Sequence, residues 1–291
     1  MLKKEVKEVL VFFAAVIGLS YLVFWGPIAL LKVPTVNLVD GEMGPFWAIV
    51  LFIIGGFVPS IVGIMLTAKY EGREGVKKLF KQSIKVKIGY KAFIAIIIIA
   101  VYFALSLILI ARLTNSNFDY SQFWIQLPTI IPLIILGPLS EEYGWRGFAI
   151  KRLLKCTNAN LASLIIGIIW ALWHLPLFYM LGTSQYEMNM PFLVFLVSVV
   201  GTSFIYTYFY QRTKASIFSA ILLHWLYTYV MQVVISSITR TSLYNWLEVI
   251  PAVVIGLVFA VMMRNDKTFD LSKKEDENTV KDDNGIKNQS L

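Results

Sequence analysis

The chain has 291 residues, of which 57% are hydrophobic and only 15% are charged. A soluble domain carries about a quarter charged residues, so this composition excludes an ordinary soluble domain and predicts a polytopic membrane protein. The net charge of +8 would suit a nucleic-acid partner, but the basic residues lie between apolar runs, as in membrane proteins, and no nucleic acid is expected. The single cysteine, Cys156, excludes an intramolecular disulfide.

Eight runs are long and apolar enough to cross a bilayer, which takes roughly 20 residues. They cover residues 9–31, 46–68, 92–112, 123–150, 159–180, 192–211, 215–236 and 247–264. If both termini are cytoplasmic, 23 of the 26 Lys and Arg residues fall in cytoplasmic segments and 3 in outer ones, as the positive-inside rule requires. We therefore expect an all-α helix bundle of about eight spans in the cell membrane, with cytoplasmic N- and C-termini.

Composition and residue spacing distinguish four segments of the chain. Residues 1–264 form the predicted transmembrane domain, and residues 265–291 become charged and polar, which predicts a disordered cytoplasmic tail. Between Glu74 and Ile84, apolar residues recur at helical spacing among lysines, which predicts a helix in the membrane interface, the alternative being a solvated basic loop. In the fourth run, three prolines at 128, 132 and 138 predict a bent or restarted helix.

Ionisable side chains are sparse inside these runs. Of eleven glutamates and seven aspartates, only Glu141 and Glu142 lie well inside a run, and both histidines, His174 and His224, lie in runs five and seven. An α-helix rises about 1.5 Å per residue, so Glu141, His224 and His174 lie roughly 15, 14 and 20 Å from the cytoplasmic ends of their runs. A charge in lipid costs several kcal/mol unless it is paired or hydrated, so we expect these groups to share a functional cavity.

Local spacing separates the two carboxylates. Glu142 and Arg146 are i, i+4 neighbours and are expected to form an ion pair, whereas Glu141 points about 100° away, toward water or substrate. Gly144 and Gly147 are expected to permit close helix packing.

Glutamate and histidine together suit two kinds of chemistry. They can position and deprotonate water while a histidine with a hydroxyl donor stabilises an oxyanion, or they can hold Zn²⁺ with an open coordination position. Water-dependent peptide hydrolysis follows from either arrangement. Other intramembrane protease designs are not found in the sequence, which has no H-E-x-x-H motif, no aspartate pair inside the runs and no G-x-S-x-G serine near a histidine.

The three polar motifs resemble those of the CPBP family, which comprises the type II CAAX prenyl endopeptidases and the bacterial Abi or bacteriocin-processing proteins. They are the pair Glu141 and Glu142 followed by Arg146, Trp170 four residues before His174, and His224. The resemblance covers about residues 120–235.

The resemblance implies a membrane-embedded protease with a cavity open toward the cytoplasm. In it, Glu141 would activate water with His174, His224 would stabilise the oxyanion, and Glu142 and Arg146 would support the site electrostatically. Members of the family have been described both as metalloproteases and as metal-free glutamate-dependent enzymes. Zn²⁺ held by Glu141, His174 and His224 and a metal-free mechanism therefore both remain open.

The chain departs from the family pattern at two positions. Trp170 replaces the usual Phe, a mild change at an aromatic position. Thr228 stands four residues after His224, where Asn or Asp is usual. A threonine hydroxyl can donate to an oxyanion, but it is shorter and can instead bond the carbonyl four residues earlier.

The leading hypothesis is an intramembrane endopeptidase whose partners are the lipid bilayer and a peptide or membrane-protein substrate. The substrate is a CAAX-type tail or, in a bacterium without prenylated proteins, a bacteriocin, leader peptide or membrane protein, with self-immunity as one role.

One alternative is a non-catalytic immunity or regulatory partner in the membrane, which Thr228 favours. Another is a proton-coupled transporter, although the two halves show no inverted repeat. The oligomeric state stays open.

Overall fold

The computed structural model describes residues 3–35 and 43–265. Within these ranges, seven helical segments are long and apolar enough to cross a membrane, or eight if a bent pair counts as one span. The predicted all-α, multi-pass helix bundle is confirmed. Which side of the membrane holds the termini remains a prediction, and residues 266–291 of the predicted tail lie outside the described ranges.

The helical segments are α1 (Lys4–Leu31), α2 (Phe46–Ser83), α3 (Tyr90–Leu113), α4 (Tyr120–Ile130), α5 (Pro132–Leu153), α6 (Ala159–Tyr179), α7 (Phe192–Arg212), α8 (Ile217–Ser236) and α9 (Ser242–Asn265). Short π-helical stretches interrupt α1 at Ser20–Phe24 and α5 at Ile135–Leu139 and Trp145–Ile150. Both α4 and α6 end in a 3₁₀ turn, Leu127–Ile130 and Leu175–Tyr179. A short helix, Ser184–Glu187, precedes α7, and β1 (Asn117–Phe118) pairs antiparallel with β2 (Ile238–Thr239).

The predicted helix between residues 74 and 84 is present as the C-terminal part of α2. A break at Gly72, with φ of 67° and ψ of −165°, separates it from the apolar part of the same segment, and only glycine adopts this conformation easily. Its Leu79 is buried, and the Phe80 ring lies 5.2 Å from the Tyr143 ring of α5. This part of α2 therefore packs on α5, while its place in the membrane interface remains a prediction.

The fourth predicted span is broken, as its prolines indicate. Its two parts, α4 and α5, meet at an angle of 60°. Side chains of α8 bond the carbonyls exposed by the break: Trp225 Nε1 donates to the Ile130 carbonyl at 2.5 Å, and Tyr229 Oη donates to the Leu127 carbonyl at 3.1 Å. Such a break survives at membrane depth because neighbouring helices replace the lost backbone hydrogen bonds.

Acidic residues are also buried outside the pair Glu141 and Glu142, which the sequence places well inside a run. Helix α1 begins at Lys4 rather than near residue 9, which carries Glu8 into the bundle, where it is 6% exposed. Arg152 Nε donates to Glu8 at 2.6 Å and Arg152 Nη2 donates to Glu71 at 2.9 Å. Pairing with a buried guanidinium makes the burial of these carboxylates tolerable.

Candidate active site

The acidic segment of α5 is held against α2 by direct backbone contact. A Cβ atom on Gly144 would lie 2.2 Å from the Pro59 carbonyl oxygen, and one on Gly63 would lie 2.7 Å from Gly144 Cα. The Ser60 hydroxyl also donates to the Leu139 carbonyl at 3.0 Å. The predicted close approach at Gly144 is confirmed, and it fixes the direction in which the acidic pair points.

Glu142 is fully buried and bonds two cationic or titratable groups through one oxygen. Arg146 Nη1 donates to its Oε1 at 3.0 Å, and His224 Nδ1 lies 2.8 Å from the same atom. The i, i+4 pair expected from the spacing is present. The contact with α8 was not expected, because sequence spacing within one helix contains no information about another helix.

Glu141 has different partners, as the angular separation of the two carboxylates predicts. Its Oε2 accepts hydrogen bonds from Trp170 Nε1 at 2.5 Å and from Trp145 Nε1 at 3.2 Å, and the residue is 5% exposed. An indole nitrogen only donates, so both bonds favour an oxygen that accepts, as an ionised carboxylate does. Within the described part of the chain, the other oxygen accepts no hydrogen bond.

His174 ends the regular part of α6 and is oriented by the preceding turn. Its Nδ1 lies 2.9 Å from the Trp170 carbonyl oxygen, which can only accept, so Nδ1 carries the hydrogen and Nε2 presents a lone pair. The rings of Trp173 and Phe195 stand edge-on to the imidazole, with centroids 4.5 and 5.2 Å away. These rings confine the imidazole to one orientation.

Trp170 joins the predicted groups into one cluster. Its indole bonds Glu141, its carbonyl bonds His174, and its ring centroid lies 5.4 Å from the imidazole of His224. The Arg146 guanidinium also lies over the ring, 4.6 Å from the centroid. The structure thus gathers α5, α6 and α8 around a single side chain, and the substitution of Trp for Phe is not mild, because Phe has no N–H to donate.

His224 and Thr228 face the same point of α5. A Cβ atom on Gly137 would lie 3.5 Å from His224 Nε2 and 3.7 Å from Thr228 Oγ1. Thr228 does not bond the carbonyl four residues earlier, unlike Thr207 and Thr213, and its hydroxyl makes no hydrogen bond to any described residue. Two polar groups therefore converge beside the glycine that precedes Pro138.

Two residues of this cluster escaped the sequence analysis. Trp145, which bonds Glu141, lies four residues after it, so helical spacing alone could have identified the contact. Tyr206, in α7, packs against Arg146 and His224. It belongs to none of the motifs found in the sequence.

The ligand set proposed for Zn²⁺ does not form a metal site in the described residues. Across residues 3–35 and 43–265, no three His, Cys, Asp or Glu side chains come together in positions that could hold one ion. The arrangement does not fit a bound zinc, and no reaction step is assigned to one.

The bundle of membrane-spanning helices buries Glu141, Glu142, Arg146 and His224 in one cluster and holds His174 half-buried beside them, and these groups are those that hydrolysis by activated water requires. Comparison with known proteins finds two similarities. Residues 122–230 match the family described as "Type II CAAX prenyl endopeptidase Rce1-like". The chain is also similar to the CAAX prenyl protease 2 of Methanococcus maripaludis, with 27% identity over 181 residues, which are 58% of this chain and 67% of that protein.

Both similarities support a protease of the CPBP/CAAX family, in agreement with the resemblance that the motifs carry. The chain is accordingly a multi-pass membrane enzyme, an intramembrane endopeptidase with a peptide or protein substrate in the membrane.

Proposed function

We propose that this protein hydrolyses a peptide bond of a membrane-associated peptide or protein, with Glu141 and His174 activating water and His224 and Thr228 binding the oxyanion. The observation that carries the proposal is the double contact of Trp170. Its indole holds Glu141 and its carbonyl holds His174, so one residue positions both groups that face the water.

Each of the two groups is left with an atom that can accept a proton. Glu141 is held through Oε2, which leaves Oε1 for the water, and His174 is held through Nδ1, which leaves the Nε2 lone pair. Glu141 takes a proton as the water oxygen attacks the carbonyl carbon, and His174 orients that water. The same proton then passes to the amine nitrogen as the C–N bond breaks, and the second proton of the water stays on the acyl group, giving a carboxylic acid and an amine.

The oxyanion forms where His224 and Thr228 converge beside Gly137. Glu142 accepts from His224 Nδ1 and so orients the ring with Nε2 toward Gly137, where its N–H would bind the oxyanion. The Thr228 hydroxyl supplies a second donor. Arg146 donates to the same oxygen of Glu142 and holds the carboxylate in place.

Two substrate classes are consistent with this chemistry. The name of the archaeal relative refers to a CAAX prenyl protease, which supports a C-terminal prenylated tail. The family resemblance also includes bacteriocin or leader peptides, which carry no prenyl group. A pair of fluorogenic peptides with the same sequence, one farnesylated and one not, separates the two classes by relative kcat/KM.

The decisive test is Glu141→Gln in purified protein reconstituted in lipid nanodiscs. The amide oxygen still accepts from both indoles, so the fold is retained while the proton acceptor is lost, and kcat should fall about 10³-fold. Glu248→Gln is the control, because Glu248 is as buried as Glu141, at 5% exposed, but lies in α9 and pairs with Arg240, outside the site. Full activity of Glu141→Gln would refute the proposal.

A further inference from the structure

Tyr206 lies at the centre of the cluster although no motif indicates it. The residue is 1% exposed, and its ring lies under the Arg146 guanidinium, 4.1 Å from its central carbon. The ring also stands edge-on to His224, at 5.7 Å between centroids, and to Trp170, at 5.5 Å. A residue that contacts three members of the site is placed to influence their geometry.

The hydroxyl of Tyr206 is one of three buried polar atoms in this cluster that have no hydrogen-bond partner among the described residues. The other two are Glu142 Oε2 and Arg146 Nη2. Buried polar groups are almost always bonded, to protein or to ordered water, because an unsatisfied group costs free energy. The three atoms are chemically complementary, since the phenol and the guanidinium donate and the carboxylate accepts.

We propose that Tyr206 is a positioning residue of the protease reaction, whose hydroxyl, through one buried water molecule, fixes the Glu142 carboxylate that orients His224. A water of this kind needs two to four polar partners, and the hydroxyl, the guanidinium and the carboxylate oxygen supply three. The inference rests on the proposed function and adds a residue to it.

The consequence for the reaction follows from the geometry of Glu142. Its Oε1 already bonds both Arg146 and His224, so that oxygen alone does not determine the rotation of the carboxylate plane. Anchoring Oε2 fixes this rotation and thereby the direction of His224 Nε2 toward Gly137. Loss of this contact to Oε2 should weaken the stabilisation of the oxyanion more than the binding of the substrate. It should therefore lower kcat more than it changes KM.

The test is Tyr206→Phe, which keeps the ring and removes the hydroxyl. We expect kcat to fall about tenfold while KM stays within about twofold of the wild-type value. A tenfold loss is what removal of one hydrogen bond to a charged group would cause. Tyr210→Phe is the matched control, since Tyr210 lies one turn later on α7 and is equally buried, beside Glu71 and Arg152 rather than the site. Replacement of Tyr206 by 3-fluorotyrosine retains the hydroxyl and should give a kcat close to that of the wild type. That result would show that the loss in Tyr206→Phe comes from the missing hydroxyl and not from misfolding.

A double-mutant cycle with Glu142→Gln distinguishes positioning from simple packing. If Tyr206 acts through Glu142, the double variant loses no more kcat than Glu142→Gln alone; independent, multiplying losses overturn the inference. Wild-type kcat in Tyr206→Phe overturns it as well, while leaving the proposed function intact. Absence of cleavage by the wild-type protein under the same conditions is instead the failure of the proposed function.

Discussion

Trp170→Phe tests whether the departure from the family pattern matters for catalysis. The change removes the indole N–H that donates to Glu141 at 2.5 Å and keeps both an aromatic ring and the carbonyl that bonds His174. A hydrogen bond to a charged group contributes about 1.5–3 kcal/mol. If this amount is lost from transition-state stabilisation, kcat falls about 10- to 150-fold. Trp145 still donates to Glu141, but at 3.2 Å.

The assay is peptide cleavage in nanodiscs, together with thermal unfolding to confirm that the variant is folded. Trp246→Phe serves as a control, since that indole is 53% exposed and lies in α9. Trp145→Phe should give a smaller loss than Trp170→Phe, because its hydrogen bond is longer. If Trp170→Phe retains kcat within about twofold of wild type while remaining folded, the indole does not position Glu141 and the argument fails.

Two further predictions concern other parts of the chain. Thr228→Val keeps the shape of the side chain and removes the hydroxyl, so it should lower kcat about 10²-fold with little effect on KM. Thr228→Asn should retain most of the activity. Wild-type activity of Thr228→Val would exclude Thr228 as an oxyanion donor. Burial and the neighbouring Glu5 carboxylate raise the pKa of the Cys156 thiol, so the rate of maleimide labelling should rise at higher pH than for a free cysteine. Glu5→Gln should shift that rise to lower pH, and an unchanged profile would contradict the coupling.

Much of the bundle follows from the sequence because membrane solvation constrains it. Apolar runs of sufficient length must form helices, and the prolines of the fourth run must break one, as α4 and α5 show. The contact between Glu142 and Arg146 follows in the same way, because residues four apart share a helix face. Each of these features depends only on residues close together in the chain.

The contacts between helices could not be predicted in this way. That His224 bonds Glu142 rather than facing Glu141 depends on the rotation of α8 about its axis. The burial of Glu8 depends on Arg152, which is 144 residues away in the chain. Periodicity gives no rotation for a helix that is apolar all round, so the sequence predicts which helices carry the polar groups but not which groups meet.

The charges of the cluster explain why it contains two carboxylates rather than one. Glu142 is held by the buried guanidinium of Arg146, and Glu141, which is held by two indoles instead, can take a proton without breaking that ion pair. When Glu141 takes a proton from water and the oxyanion forms, one negative charge disappears and another appears beside His224, so the total is unchanged. We therefore expect Glu142→Gln to lower activity even though Glu142 does not touch the water, because Arg146 would lose its buried anionic partner and His224 would lose the acceptor that orients its ring.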